Sequence, residues 1–202
     1  AYRCILPVDT DAMEAERSAG ANVDVNLRFP LGKEWALSLN QLFFITSLQD
    51  ALVLREGTSN ARFFENADGP VRSQGLDTNL KLTYRHWKLF ANYAFNDTRL
   101  LYDNLDEQKP LSPRHSLGTV LVYEEEDKWR LGFEAYYTGS QFRSDRSETD
   151  DFWIVGVMLL RKWEHLSIYT NFENFTDTRQ ERLEVFEIGA HSTPDFPEIW
   201  AP

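Results

Sequence analysis

The sequence predicts an all-β chain that folds as an antiparallel, up-and-down sheet of eight strands. Three observations support this fold class. Apolar and polar residues alternate with the period of two that strands impose, no segment keeps the spacing of a helix, and the links between segments alternate in length. The predicted strands span 19–29, 35–47, 73–84, 87–98, 114–123, 129–139, 152–161 and 166–175.

The first two predicted strands have one apolar and one polar face. In 19–29 the odd positions from Ala21 to Phe29 are apolar, whereas the even positions from Asn22 to Arg28 are polar or charged. Strand 35–47 repeats the pattern from Trp35 to Ile45, where Gln41 is the one polar residue on the apolar face. A shift of one residue would exchange the faces, so this pattern fixes the register of pairing.

The next two predicted strands carry the alternation in phases that suit one continuous sheet. In 73–84 the apolar residues Leu76, Leu80, Leu82 and Tyr84 lie at even positions, and in 87–98 the odd positions from Trp87 to Phe95 are apolar. We therefore expect Leu27 and Lys81 to lie on opposite faces of the sheet. Strands 129–139 and 166–175 show the same period.

Two predicted strands, 114–123 and 152–161, are apolar or small at both sets of alternating positions. Their orientation stays open at this point.

The links sort into two classes. The short ones are 30–34, 85–86, 124–128 and 162–165, and the long ones are 48–72, 99–113, 140–151 and everything from 176 to the end. Short turns at one rim and long loops at the other are typical of outer-membrane barrels. Trp35, Trp87, Trp129 and Trp163 all lie beside short links, where an aromatic belt would meet a membrane interface.

Composition narrows the function classes. The 202 residues include 21 basic and 32 acidic side chains, and this net charge of −11 disfavours nucleic acid as a partner. The single cysteine, Cys4, cannot form an internal disulfide. No stretch approaches the roughly 18 consecutive apolar residues of a membrane helix, whereas a transmembrane strand needs only about 9 to 11.

Five stretches in order along the chain, together with their spacing, resemble the TonB-dependent outer-membrane receptors from about Glu16 onward. They are NADGPVRSQGLDTNLKLTY (66–84), WKLFANYAFNDTRL (87–100), KPLSPRHSLGTVLVY (109–123), LGFEAYYTGSQ (131–141) and LSIYTNFENFTDTRQ (166–180). The resemblance implies a partial transmembrane β-barrel over 1–202, about strands 14–21 of 22, with the plug domain and the last strand absent.

The same resemblance implies a function. It implies a receptor of the bacterial outer membrane, surrounded by lipid, that takes up a scarce nutrient such as an iron chelate, cobalamin or a glycan. Its partner TonB would act through the missing N-terminal region. The implied mechanism is conformational, and the protein would not be an enzyme.

The residues that could carry chemistry show no catalytic pattern and indicate no cofactor. The four histidines lack metal-ligand spacing, and the acidic runs 124–127 and 148–151 lack the spaced oxygen ligands and glycine of a calcium loop, so we expect solvated turn charges and no metal site. Glu134 and Glu173 are expected to face the lumen and to pair with Arg130 or Lys88.

Ligand contacts in this class of receptor come from long loops and the lumen near the outer rim. Arginine and aromatic side chains there suit anionic or ring-bearing ligands. The candidate ligand-binding residues are Arg55, Arg62, Phe63, Phe64, Arg99, Tyr102, Phe142, Arg143 and Arg146.

One alternative is a soluble β-sandwich or small β-barrel that binds carbohydrate, with the same aromatics as a sugar platform. A Greek-key crossover between consecutive strands would favour that alternative.

Overall fold

The computed structural model describes residues 4–6, 11, 13–57 and 61–179, and these residues form strands joined by turns and loops. The strands are β1 Cys4–Ile5, β2 Arg17–Leu31, β3 Trp35–Gln49, β4 Leu52–Glu56, β5 Ala61–Asn66, β6 Val71–Tyr84, β7 Trp87–Leu100, β8 Glu107–Gln108, β9 His115–Glu125, β10 Trp129–Thr138, β11 Phe152–Lys162 and β12 Ser167–Phe172. Within these ranges no helix has the length and apolar character needed to cross a membrane.

Eight strands form the main sheet, in the order β12-β11-β10-β9-β7-β6-β3-β2. Each is antiparallel to its neighbours, and the short strand β8 pairs with β7. This up-and-down order confirms the predicted fold class and contains no Greek-key crossover. Over the described ranges the sheet is open, with β2 and β12 as its two edges.

The register confirms the predicted faces. Leu27 is paired with Leu39, Leu39 with Leu80, and Leu80 with Ala91. Directly paired residues point to the same side of a sheet. Lys81 is paired instead with Ser38, which is paired with Arg28, so Lys81 lies on the face opposite Leu27.

The same register decides the two strands whose orientation was open. Leu121 of β9 is paired with Leu89 and Phe133, and Val157 of β11 is paired with Phe133, so all of these residues share the apolar face. Pairing with the neighbouring strands sets the orientation of β9 and β11, because their own residues are apolar or small on both faces.

The two faces differ in shape as well as in polarity. A groove of about 850 Å³ runs along the polar face and is lined by residues from β2 to β10. We call this side the concave face and the other side the convex face. On the convex face Val23 is 62% exposed, Phe133 45% and Ile168 52%. The buried apolar residues of the described chain are only Ala51, Ala67 and Ala135, so the sheet has no conventional core.

The four short links all lie at the same end of the strands, and aromatic residues line the convex face at that end. Trp35 stacks on Tyr84 with ring centroids 4.1 Å apart, and Trp87 lies 5.0 Å from Tyr123. Trp129 is paired with Glu125, two residues beyond Tyr123 on β9. The predicted belt is therefore present, with a stagger of two residues, or roughly 7 Å, along the strands.

The long links contain more structure than the sequence predicted. The segment 48–72, interpreted as a loop, contains the antiparallel hairpin β4–β5, and β1 adds to β5 in parallel. Val53, Phe63 and Phe64 favour strands, but the two strands are only five and six residues long and lie inside a long link, which explains this error. The last strand is shorter than predicted, and residues 180–202 of the final link lie outside the described residues.

Candidate functional site

Four asparagines form a ladder across the concave face. Asn26, Asn40, Asn79 and Asn92 are paired in turn on β2, β3, β6 and β7. Asn40 Nδ2 donates to Asn26 Oδ1 at 3.0 Å, and Asn92 Nδ2 donates to Asn79 Oδ1 at 2.8 Å. Side-chain amides both donate and accept hydrogen bonds, so this ladder is a wall suited to water and polar solutes.

Two aspartates lie next to the ladder, one row towards the long loops. Asp24 accepts hydrogen bonds from Asn26 and Asn40, and Asp77 accepts them from Asn79 and Asn92. These bonds fix the asparagine side chains along the wall.

Two cations lie one row towards the short turns. Arg28 and Lys81 flank Ser38 on the concave face, and Lys81 Nζ is 5.4 Å from the centroid of the Phe90 ring. Within the described ranges neither cation has an ion pair with a carboxylate. The groove over β2 to β7 thus combines amides with two cations that are available to an anion.

On β9 to β11 the concave face mixes small or apolar residues with the charged residues Glu124, Arg130 and Glu134. The small or apolar residues include Gly118, Val120, Val122, Gly132 and Met158. The continuous row of amides is therefore confined to β2, β3, β6 and β7, and the wall beyond it is mixed in character.

Glu124 lies on the concave face near the short turns and binds two cations there. Its carboxylate accepts a hydrogen bond from Lys88 Nζ at 2.7 Å and forms an ion pair with Arg130. The sequence had assigned these cations to Glu134 and Glu173, which is wrong. Glu134 accepts from the Tyr136 hydroxyl at 3.1 Å, and Glu173 accepts from Asn171 at 2.7 Å. Glu124 is directly paired with Arg130, which explains why it takes their place.

Arg55 connects two of the outer segments. Its guanidinium makes two hydrogen bonds to Asp103, at 2.5 and 2.7 Å, and a third to Glu65 at 2.7 Å. The Arg55 hydrogen bonds lower the pKa of Asp103 below its ordinary value, while burial raises the pKa of the neighbouring Tyr102. Arg55 thus fastens the β4–β5 hairpin to the loop that follows β7.

The next two outer loops are also joined. Arg99 donates to Asp106 at 2.6 Å, and Arg146 forms an ion pair with Glu107. The backbone N–H of Leu111 donates to the carbonyl of Phe142 at 2.8 Å. The last two contacts connect segment 101–113 to segment 139–151, and the Arg99 bond holds segment 101–113 against the end of β7.

The nine predicted ligand-binding residues fall into separate groups. Arg55 is paired with Phe63 and lies 5.8 Å from the Tyr102 ring, so these three come together. Arg62 and Phe64 belong to the other face of the hairpin, where they are paired with Glu56 and Leu54. Arg99 lies at the end of β7.

The remaining three, Phe142, Arg143 and Arg146, lie in the loop before β11, where Phe142 bridges to Glu148 and Arg143 donates to Ser147. Sequence reasoning missed the carboxylates that hold the arginines. The acidic run 103–107, just after Arg99, was the signal that could have found them.

Groups of histidine, cysteine, aspartate or glutamate placed to hold a metal ion are absent from the described part of the chain.

Comparisons with known proteins agree with this architecture. A family model described as TonB dependent receptor-like, β-barrel, matches residues 14–175. The chain belongs to this family. The comparison with curated proteins gave no match.

Solved structures of TonB-dependent barrels have the same fold. The ferric-catecholate import receptor Fiu from K12 E. coli is similar with a TM-score of 0.60 at 15% identity, over 84% of this chain and 24% of that chain. The copper transporter OprC has a TM-score of 0.64 at 18% identity, over 84% of this chain and 27% of its own.

The ferric enterobactin receptor PfeA of Pseudomonas aeruginosa, as the mutant G324V, has a TM-score of 0.66 at 16% identity, over 84% of this chain and 27% of its own. This chain therefore spans about a quarter of the length of these receptors.

Proposed function

We propose that this chain forms part of the wall of a TonB-dependent receptor that takes up a scarce nutrient across the bacterial outer membrane. The observation that carries the proposal is the two-faced sheet. Its convex face exposes large apolar side chains, and its concave face carries the asparagine ladder. Lipid on one side and an aqueous lumen on the other satisfy both faces.

The nutrient we propose is a metal chelate, with cobalamin and glycans as the other classes. Similar structures are named as receptors or transporters for ferric catecholate, ferric enterobactin and copper. Arginines and aromatics on the outer segments suit an anionic, ring-bearing chelate, because guanidinium groups bind oxyanions in two-point contacts and rings stack.

We propose two roles for the nine outer candidates. Arg55, Arg99 and Arg146 hold the outer segments together through Asp103, Asp106 and Glu107. The aromatic residues and the remaining arginines then present the contact surface. These residues are Arg62, Phe63, Phe64, Tyr102, Phe142 and Arg143.

The mechanism we propose is conformational and not enzymatic. The ligand binds at the outer rim, and TonB, acting through a part of the receptor outside this chain, opens a path along the lumen. The asparagine ladder on the concave face offers hydrogen bonds to water and cargo along that path.

Growth complementation tests the proposal. A bacterial strain without the gene is supplied with the full-length receptor and grown with a ferric catecholate, cobalamin or a glycan as the limiting nutrient. We expect growth to be restored by the ferric chelate, and to be lost again when TonB is deleted. Restoration by cobalamin or a glycan would reassign the nutrient, and growth independent of the receptor in every medium would refute uptake.

The contact surface is tested by paired variants. Phe64→Ala together with Phe142→Ala is expected to weaken chelate binding at least about tenfold, as for loss of aromatic anchors. Phe133→Leu on the convex face is the matched control and should bind like the unchanged receptor. Equal affinity of all three proteins would refute the assignment of the outer aromatics.

A further inference from the structure

Arg161 is a cation on the convex face, at the rim of the short turns. It is paired with Trp129 on β10 and with Ile168 on β12, and it follows Val157 and Leu159 on the apolar side of β11. If the sheet lies in a membrane, as proposed above, this guanidinium lies at the boundary between the lipid tails and the headgroups.

Two indole rings hold Arg161 in place. Its guanidinium carbon is 4.2 Å from the centroid of the Trp129 ring and 5.3 Å from that of Trp163. Trp129 is 39% exposed and Trp163 49% exposed, so the rings and the cation form an open surface. An arginine over an aromatic face is attracted by the ring and loses side-chain freedom before any ligand arrives.

The hydrogen-bond donors of Arg161 are unused within the described part of the chain, where it has neither a hydrogen bond nor an ion pair. Glu125, the carboxylate paired with Trp129, attracts Arg161 through space but accepts its hydrogen bond from Lys128 Nζ, at 2.5 Å. A guanidinium carries five N–H donors in a planar fork that fits two oxygens of a phosphate.

We propose that Arg161, Trp129 and Trp163 form a binding site for the phosphate of a phospholipid headgroup, in the leaflet at the short-turn rim. Tryptophan is enriched at this level of membrane proteins because its ring is amphipathic. The phosphate is the anion that a phospholipid presents at the same level. The site would fix the depth and rotation of the barrel wall between β10 and β12.

Lipid retention tests the site. The full-length receptor is purified in neutral detergent, incubated with phosphatidylglycerol, and its bound lipid is counted by native mass spectrometry. Arg161→Gln is compared with Arg130→Gln, which removes the same charge from the concave face, where Arg130 is paired with Glu124. We expect Arg161→Gln to retain about fivefold less lipid, the effect of roughly one arginine at an anionic lipid surface, and Arg130→Gln to retain the normal amount.

Further arms separate the possible outcomes. Arg161→Lys keeps the charge without the fork and should retain an intermediate amount of lipid, and inorganic phosphate at equal concentration should not compete. Only protein that shows the heat-modifiable mobility of a folded barrel is counted. Equal retention by both glutamine variants, or full competition by inorganic phosphate, would overturn the lipid site. A receptor that fails to insert into vesicles would instead overturn the membrane function on which the site rests.

Discussion

Two arginines on this wall show how a side chain takes its role from the face it occupies. Arg28 lies on the concave face beside Ser38, among the amides of the groove. Arg161 lies on the convex face between two tryptophans. Alternation in the sequence predicted the face of Arg28, whereas the face of Arg161 followed only from the register of β11 with β10. The ligand each cation suits therefore differs, although the side chain is the same.

The ion pair between Arg55 and Asp103 should make the outer hairpin sensitive to acid. Because the pKa of Asp103 is lowered in the folded state, its contribution to stability is present above the ordinary aspartate pKa of about 3.9 and is lost as pH falls through the lower, folded value. Hydrogen exchange, corrected for intrinsic rates, should show steady protection of residues 52–56 and 61–66 from pH 8 to about 5 and a decline below about pH 4.

Asp103→Asn is the matched variant for this prediction. It keeps the shape of the side chain but removes its charge, so protection of the hairpin should be lower at neutral pH and should no longer share the acid step. An acid step of the same size in Asp103→Asn would show that another group is responsible.

At the scale of strands, the sequence predicted all eight members of the main sheet but not every detail of them. Alternation fixed the faces of β2, β3, β6 and β7, because one set of positions is apolar and the other polar. It could not orient β9, whose faces carry Leu121 and Val120 alike, and pairing with Phe133 and Glu134 on β10 decided the matter. The hairpin β4–β5 escaped notice because its strands are short and lie inside a long link.

Glycines on the sheet should differ sharply in their tolerance of a methyl group. A Cβ added at Gly75 would lie 2.1 Å from the backbone oxygen of Phe95 and 2.9 Å from the Phe44 ring, and backbone cannot yield. A Cβ added at Gly132 would meet only the Met158 side chain, with the flexible Cε at 3.2 Å and the Cβ at 3.4 Å. Gly75→Ala should therefore lower the free energy of unfolding by about 1–3 kcal/mol, and Gly132→Ala by less than about 1.

The free energy of unfolding of both glycine variants is measured by urea unfolding in lipid vesicles, monitored by tryptophan fluorescence. Equal midpoints for the two proteins would contradict the close backbone approach at Gly75.

A charge introduced on β6 should lower the free energy of unfolding much more on the convex face than on the concave face. Leu80→Arg places a cation on the convex face between Leu39 and Ala91, where the cost at the middle of a bilayer is about 2–4 kcal/mol. Asn79→Arg places the same cation in the groove and should cost less than about 1 kcal/mol. The free energy of unfolding of both variants is measured in vesicles. A larger decrease for Asn79→Arg than for Leu80→Arg would reverse the assignment of the faces.

For the molecule as a whole, stability cannot come from a buried core, because the described residues contain almost none. Large apolar side chains instead cover the convex face, and a row of hydrogen-bonded amides crosses the concave face of β2, β3, β6 and β7. An exposed apolar surface of this extent marks an interaction surface, which lipid covers in the receptor proposed above. Sequence patterning predicted this division. It did not predict the carboxylates that hold Arg55, Arg99 and Arg146, since those pairs join segments far apart in the chain or within irregular loops.

The division of the sheet between lipid and water is tested most directly by spin-label accessibility along β6. Single cysteines replace Leu76, Asp77, Asn79, Leu80, Lys81 and Leu82, one at a time, in a Cys4→Ser background of the full-length receptor in vesicles. Labels at 76, 80 and 82 should collide with oxygen dissolved in lipid, and labels at 77, 79 and 81 with a water-soluble nickel complex. Contact of all six labels with the nickel complex, or exclusion of both reagents from 76, 80 and 82, would contradict a membrane-spanning wall.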